Sequence, residues 1–230
     1  MLKENFLNIN KFSQKPDIKV KSKVIGSDLF DLPRNGYLYF IGIGGVGMSA
    51  VAMMMKNNGY MVMGSDATAG PTTHALENIG VKIDFRQDGR WIDRKTDLIV
   101  TSAAIPNNNL DLIKAKALGI KVIKYSQLLG LLMRGKEGIA VSGSHGKTTT
   151  TAMISAILKM AGLDPACVIG GETSKINDEY SRGKGDLFVA EACEYDRTFL
   201  SLSPKIAVIT SIDEDHLDYY KDMDALRLAF

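Results

Sequence analysis

One segment near the middle of the chain constrains the fold more than any other. Residues 138–141 form a short apolar run, which predicts a buried strand, and residues 152–160 have the composition of a helix. Between them lie two glycines, Gly143 and Gly146, followed at once by Lys147 and a run of threonines. Glycine has no Cβ atom, so the backbone can approach an anion closely and direct N–H groups towards it. A strand, a glycine turn and a helix in this order predict a phosphate-binding loop in an α/β domain.

This loop has the short form Gly-x-x-Gly-Lys-Thr, because Val141 stands where longer phosphate loops carry another glycine. In such a loop, Lys147 is expected to reach the β- and γ-phosphates of a nucleotide, and the Thr148 hydroxyl to bind Mg²⁺. His145 is expected to shape the loop or contact phosphate rather than to act as a base. The alternative is an ordinary surface loop, which the flanking strand and helix disfavour.

A second glycine-rich loop lies about a hundred residues earlier in the chain. Gly42, Gly44 and Gly47 fit the pattern G-x-G-x-x-G after the strand-like run Tyr37-Leu-Tyr-Phe-Ile41, and Asp66 follows about twenty residues on. The pattern is typical of dinucleotide binding, so an NAD(P)-binding module is one interpretation. Any diphosphate, including that of a UDP-sugar, meets the same physical requirements at a helix start. Asp66 would then either contact a ribose or end its strand and cap the next turn.

Strand-like and helix-like segments alternate from Gly36 onward, which predicts a parallel sheet and an α/β fold. We expect a polar N-terminal extension (residues 1–35), a Rossmann-like domain (36–134) and a P-loop-type ATP-binding domain (135–230) that is incomplete. The strands are expected at 37–41, 60–63, 81–85, 97–101, 120–123, 138–141, 186–190 and 205–210. The helices are expected at 48–58, 73–79, 107–118, 152–160 and 222–230.

Composition excludes several other classes of protein. With 45% hydrophobic and 23% charged residues and a net charge of +2, the chain is an ordinary globular protein with no signature of nucleic-acid binding. Cys167 and Cys193 are too few for a disulfide framework. The N-terminus has no long apolar run, so we expect neither a signal peptide nor membrane insertion, and a cytoplasmic location.

Six motifs, in their order and spacing, resemble the Mur ligase family, the ATP-dependent amino-acid ligases of peptidoglycan synthesis. The motifs are Gly42-Ile-Gly-Gly-Val-Gly-Met-Ser-Ala50, Gly64-Ser-Asp66, Thr101-Ser-Ala-Ala-Ile105, Gly143-Ser-His-Gly-Lys-Thr-Thr-Thr150, Glu191-Ala-Cys-Glu-Tyr-Asp196 and Asp215-His-Leu-Asp218. The resemblance covers Gly36 to about Tyr220, and the combination of motifs is specific although none of them is specific alone.

The resemblance implies a role for each motif. The first domain would bind the UDP part of UDP-N-acetylmuramate through Gly42, Gly44, Gly45, Val46, Gly47, Asp66, Ser102 and Ala103. The second domain would bind ATP through Gly143, Ser144, His145, Gly146, Lys147, Thr148 and Thr149. Thr148 and Glu191 would hold one Mg²⁺ and His216 a second, with Lys147, Glu191 and His216 as the catalytic residues. Glu191 and His216 have an alternative interpretation as capping or turn residues.

The implied reaction is ATP-dependent ligation of L-alanine to UDP-N-acetylmuramate through an acyl phosphate. A murein tripeptide in place of L-alanine remains an alternative amine, and an NAD(P)-binding regulatory module remains an alternative of another class. Cys193 and Tyr195 depart from the residues typical of the family and weaken the assignment of a subtype, whereas Ser144 in place of threonine is a mild change. Family members also carry a C-terminal domain that brings in the amino acid, so we expect this chain, as a fragment or a truncated product, to be inactive alone.

Overall fold

The computed structural model describes residues 33, 35–170, 183–194, 199–213 and 220–230. The first part of the chain forms a five-stranded parallel sheet in the order β3-β2-β1-β4-β5. Its strands are β1 (Tyr37–Ile41), β2 (Met61–Ser65), β3 (Lys82–Asp84), β4 (Thr96–Thr101) and β5 (Val122–Lys124). The helices that accompany them are α1 (Val46–Asn57), α2 (Pro71–Asn78), α3 (Leu110–Ala117) and α4 (Tyr125–Met133).

The second part forms a four-stranded parallel sheet in the order β7-β8-β6-β9. Its strands are β6 (Glu137–Ser142), β7 (Ala166–Val168), β8 (Leu187–Glu191) and β9 (Ile206–Ile209), with helices α5 (Lys147–Met160) and α6 (Met223–Arg227). The predicted α/β class with parallel sheets is thereby confirmed. His216 and the Asp215-His-Leu-Asp218 motif lie outside the residues that the structure describes.

Strand β1 occupies the centre of the first sheet, and its composition explains why. Leu38, Tyr39, Phe40 and Ile41 are all buried, because helices cover both faces of a parallel sheet and leave no polar face. The order of strands reverses between β1 and β4, and sheets of this kind bind ligands in the crevice at such a reversal, beyond the carboxyl ends of the strands. This places the Gly42–Gly47 loop at the expected position for a ligand.

Two elements were absent from the sequence prediction, and several helices start at residues other than those predicted, α5 most of all. Helix α4 and strand β7 were not predicted, and α5 begins at Lys147 rather than near residue 152. The threonine run after Lys147 suggested loop because β-branched residues are poor helix formers. In the structure, Gly146 has a φ of 78° and ends the loop, and the helix is anchored by the buried side chains of Thr151 and Ser155.

One apolar core connects the two sheets through α4. The core cluster includes Phe40 of the first sheet, Leu129 of α4 and Phe188 of the second sheet, all almost fully buried. Gly130 lets the Ser201 backbone pack tightly on α4, since any Cβ atom there would overlap the Ser201 carbonyl oxygen. The orientation of the two sheets is therefore fixed by close packing. Among the described residues, no helix is long and apolar enough to cross a membrane.

Candidate functional site

The loop at the carboxyl end of β1 is held by backbone hydrogen bonds. The N–H groups of Gly42 and Ile43 both donate to the Ser65 carbonyl oxygen, at 2.8 and 3.0 Å. The loop passes so close to β2 that a Cβ atom at Gly64 would lie 2.7 Å from the Cδ1 atom of Ile43. Helix α1 starts immediately afterwards, with Gly45 as its N-cap, no side-chain capping bond and no acidic residue in its first turn. Its first N–H groups and the helix dipole therefore favour an anion at this position.

Asp66 stabilises this loop directly. Its Oδ2 accepts a hydrogen bond from the Gly44 N–H at 2.7 Å, and the Thr72 hydroxyl donates to the Gly44 carbonyl oxygen at 2.6 Å. A Cβ atom at Gly44 would lie 2.8 Å from the same Asp66 oxygen. Its Oδ1 accepts a hydrogen bond from the Thr68 N–H at 3.3 Å, which is the turn-capping contact that the sequence left open, and its bond to the Gly44 backbone is an additional role that was not predicted.

The Ser102–Ala103 turn at the end of β4 completes the first candidate site. The Ser102 N–H donates to the Ile41 carbonyl oxygen at 3.2 Å, which brings the turn beside the glycine loop. A Cβ atom at Gly42 would lie 3.3 Å from the Ser102 side chain, and Ala103 is exposed. The residues predicted for the diphosphate site therefore lie together beyond the carboxyl ends of the central strands of the first sheet.

The second glycine loop, between β6 and α5, is fixed by the segment that follows β9. The Ser144 N–H donates to the Ser211 carbonyl oxygen at 2.8 Å, and the Ser144 hydroxyl donates to the Asp213 carbonyl oxygen at 3.0 Å. Gly143 has a φ of 126° and leaves no room for a side chain, since a Cβ atom would lie 2.7 Å from the Ser211 carbonyl oxygen. Only glycine combines this backbone conformation with so close an approach.

Helix α5 begins in the same way as α1. Its N-cap is Gly146 in the left-handed conformation, with no side-chain capping bond and no acidic residue in the first turn. By contrast, α3 and α6 are capped by the side chains of Asn109 and Asp222, each of which accepts a hydrogen bond from a backbone N–H of its helix. The helices after the two glycine loops thus keep their first N–H groups for another acceptor. His145 and Thr149 are exposed beside this helix start.

Lys147 folds back over its own loop and forms an ion pair. Its ammonium donates to the carbonyl oxygens of Gly143 and Ser144, at 2.5 and 3.3 Å. It also lies 3.0 and 3.2 Å from the two carboxylate oxygens of Glu194, a residue with no exposed surface. Glu194 was not predicted as a site residue. Its acidic character and its place three residues after Glu191 were the available signals, but a sequence does not show that its side chain turns inward.

Glu191 ends strand β8 next to this loop. Its Oε1 accepts a hydrogen bond from the Gly170 N–H at 2.7 Å. Burial raises the pKa of the Glu191 carboxyl, and hydrogen bonds from Gly170 and the Thr148 side chain, together with the charge of Lys147, partly offset the rise. Thr148 and Glu191, two of the predicted Mg²⁺ ligands, are thus in contact. Among the described residues, no group of three or more His, Cys, Asp or Glu is placed to hold a metal ion.

Tyr125, at the start of α4, packs against the first glycine loop. A Cβ atom at Gly47, in the first turn of α1, would lie 2.7 Å from the Tyr125 hydroxyl. The pKa of Tyr125 is raised by burial and further by the negative charges of Glu191 and Cys193. The same phenol therefore lies against the first loop and within the electrostatic influence of the Glu191 carboxylate. The sequence contained no signal for this, because α4 itself was not predicted.

Two family models match consecutive parts of the chain. Residues 37–137 match the model described as "Mur ligase family, catalytic domain", and residues 141–230 match "Mur ligase middle domain". The chain belongs to the Mur ligase family. Its two glycine loops fall one in each matched region, as do the residues that hold them.

Three relatives show which members of the family the chain is similar to. The UDP-N-acetylmuramate–L-alanine ligase of Clostridium kluyveri is 45% identical over 202 residues, which cover 87% of this chain and 44% of that protein. The solved structure of UDP-N-acetylmuramate-alanine ligase from Thermotoga maritima is 32% identical, with a TM-score of 0.76 over 84% of this chain and 45% of that one. UDP-N-acetylmuramate:L-alanyl-gamma-D-glutamyl-meso-diaminopimelate ligase from Neisseria meningitides is 28% identical, with a TM-score of 0.75 over 85% of this chain and 66% of that one. The chain thus spans less than half the length of the curated relative.

Proposed function

We propose that this chain carries the UDP-sugar and ATP sites of a ligase that joins L-alanine to UDP-N-acetylmuramate. The observation that carries the proposal is the pair of glycine loops, each leading into a helix without a side-chain cap, in two domains that share one apolar core. A dehydrogenase needs one such site, whereas a ligase that activates a sugar carboxylate with ATP needs two that face each other. The names of the relatives from Clostridium kluyveri and Thermotoga maritima support the choice of substrates.

The assignment of residues follows from this geometry. We place the UDP-sugar domain at 36–134, with residues 1–35 as an extension, and a P-loop-type ATP domain from residue 135 onward. The UDP diphosphate is assigned to the start of α1, and the ATP phosphates to the start of α5. The oxygen ligands of Thr148 and Glu191 fit Mg²⁺, which prefers hard oxygen donors. When bound there, Mg²⁺ would neutralise charge on the ATP phosphates.

The reaction has two steps in this assignment. A carboxylate oxygen of the sugar's lactyl group attacks the γ-phosphorus of ATP, forming an acyl phosphate and releasing ADP. The amine of L-alanine then attacks the acyl carbon, inorganic phosphate leaves, and an amide forms as the amine loses a proton. Lys147 and the N–H groups of α5 stabilise the negative charge that the first step concentrates at the γ-phosphate.

The amine substrate has a second candidate. The structure of the ligase from Neisseria meningitides, whose name specifies a tripeptide, superposes on this chain nearly as well as the L-alanine ligase does. Both relatives share the UDP-sugar, and they differ in the amine. The sequence match to L-alanine ligases at 45% identity favours L-alanine.

An amide-formation assay tests the proposed function. With ATP, Mg²⁺ and UDP-N-acetylmuramate, the complete protein that contains this sequence is expected to form ADP and an amide with L-alanine, and far less with the murein tripeptide. This chain alone is expected to form none, because its relatives extend well beyond the matched residues. Preferential use of the tripeptide would show that the tripeptide, and not L-alanine, is the amine substrate. Amide formation by this chain alone would refute the need for a further domain.

A further inference from the structure

The carboxylate of Glu194 lies within contact distance of Lys147, which makes it part of the charge balance of the second loop. Both carboxylate oxygens lie within 3.2 Å of the Lys147 ammonium, and Glu194 has no exposed surface. The Glu194 backbone is held as well, since the Tyr220 hydroxyl donates to its carbonyl oxygen at 2.6 Å. A buried carboxylate is stable only when a cation or several donors compensate it. Lys147 provides that compensation here.

The same ammonium is the group assigned to the terminal phosphates of ATP. Lys147 has three N–H donors, and the structure directs them to Glu194 and to the carbonyl oxygens of Gly143 and Ser144. A phosphate oxygen at this loop must therefore share the lysine with a carboxylate that cannot move into water. Two anions that compete for one cation bind it less strongly than either would alone.

We propose that Glu194 is a positioning residue that acts through Lys147 and limits the affinity of the loop for ATP. This inference rests on the proposed ATP site. The carboxylate keeps the lysine folded over the loop when the terminal phosphate is not bound. It also lowers the free energy gained when that phosphate arrives. Removal of its charge should therefore strengthen nucleotide binding, whereas damage to the loop would weaken it.

Glu194→Gln is the test, because glutamine keeps the shape of the side chain and one oxygen acceptor for Lys147. Calorimetric titration of this chain with MgATP is expected to show a dissociation constant about tenfold lower than that of the wild type. Glu194→Asp, which keeps the charge, is expected to show no such gain. Thermal unfolding of each variant checks that the fold is retained.

Glu137→Gln is the matched control for loss of one negative charge. Glu137 also forms an ion pair with a lysine, Lys205, but it lies at the first residue of β6, the opposite end of the strand from the loop. Equal or weaker ATP binding by Glu194→Gln would overturn the inference, as would an equal gain in Glu137→Gln. Failure of the wild-type chain to bind ATP would instead overturn the proposed ATP site on which the inference rests.

Discussion

Lys147→Met is expected to lower the affinity of this chain for MgATP by about a hundredfold. Hydrogen bonds to charged groups each contribute about 1.5–3 kcal/mol, and Lys147 is the residue assigned to the terminal phosphates. Methionine keeps much of the apolar stem and removes only the ammonium. Calorimetry with MgATP measures the loss, and in the complete protein acyl-phosphate formation should fall with it.

Lys147→Met also has a structural consequence that needs its own control. It removes the ammonium that lies 3.0 Å from the buried Glu194 carboxylate, and loss of one partner of a buried ion pair costs up to about 3–5 kcal/mol in the free energy of unfolding. The double variant Lys147→Met/Glu194→Gln removes the charge of Glu194 as well and is expected to recover most of the stability without recovering ATP binding. If the double variant bound ATP as the wild type does, Lys147 would have a structural role only.

Glu191→Gln is expected to raise the Mg²⁺ concentration needed for ATP binding by at least about tenfold. The substitution removes the charge that would hold the metal ion but keeps an oxygen that can accept the Gly170 hydrogen bond. Titration of ATP affinity against Mg²⁺ concentration measures the shift. In the complete protein, formation of the acyl phosphate should fall at ordinary Mg²⁺ levels for the same reason.

Comparison of Glu191→Gln with Glu191→Ala separates the two interpretations of this residue. Alanine removes both the charge and the acceptor for Gly170, so only alanine should destabilise the turn as well. An unchanged Mg²⁺ requirement in Glu191→Gln, with a loss in Glu191→Ala alone, would show that Glu191 holds the backbone and binds no metal.

The glycine loops were predictable because their chemistry is local. Gly143, Gly146 and the strand before them stand in consecutive positions, and the structure places them as that order suggests. The same holds for Asp66, whose distance from Gly44 along the chain is typical of the motif, although its contact with the loop backbone was not among the roles expected for it. Local spacing therefore identified the loops but not every contact within them.

The contacts between distant segments were not predictable. Glu194 reaches Lys147 across 47 positions of the chain, and the Tyr125 contact with Gly47 depends on how α4 packs between the sheets. Tertiary packing decides such contacts, and periodicity contains no information about them. Helix α4 was missed for a related reason, because its residues are mostly buried and lack the alternation of an exposed amphipathic helix.

The most direct test of the account is a titration of one chain with both substrates. This chain is expected to bind UDP-N-acetylmuramate and MgATP at separate sites, one equivalent of each, and to give no response to NADH. Gly44→Val should abolish binding of the UDP-sugar only, since a branched side chain would overlap Asp66, and Lys147→Met should weaken binding of MgATP only, by about the hundredfold expected above. Binding of NADH without binding of the UDP-sugar, or loss of both substrates in either variant, would contradict the assignment of two separate sites.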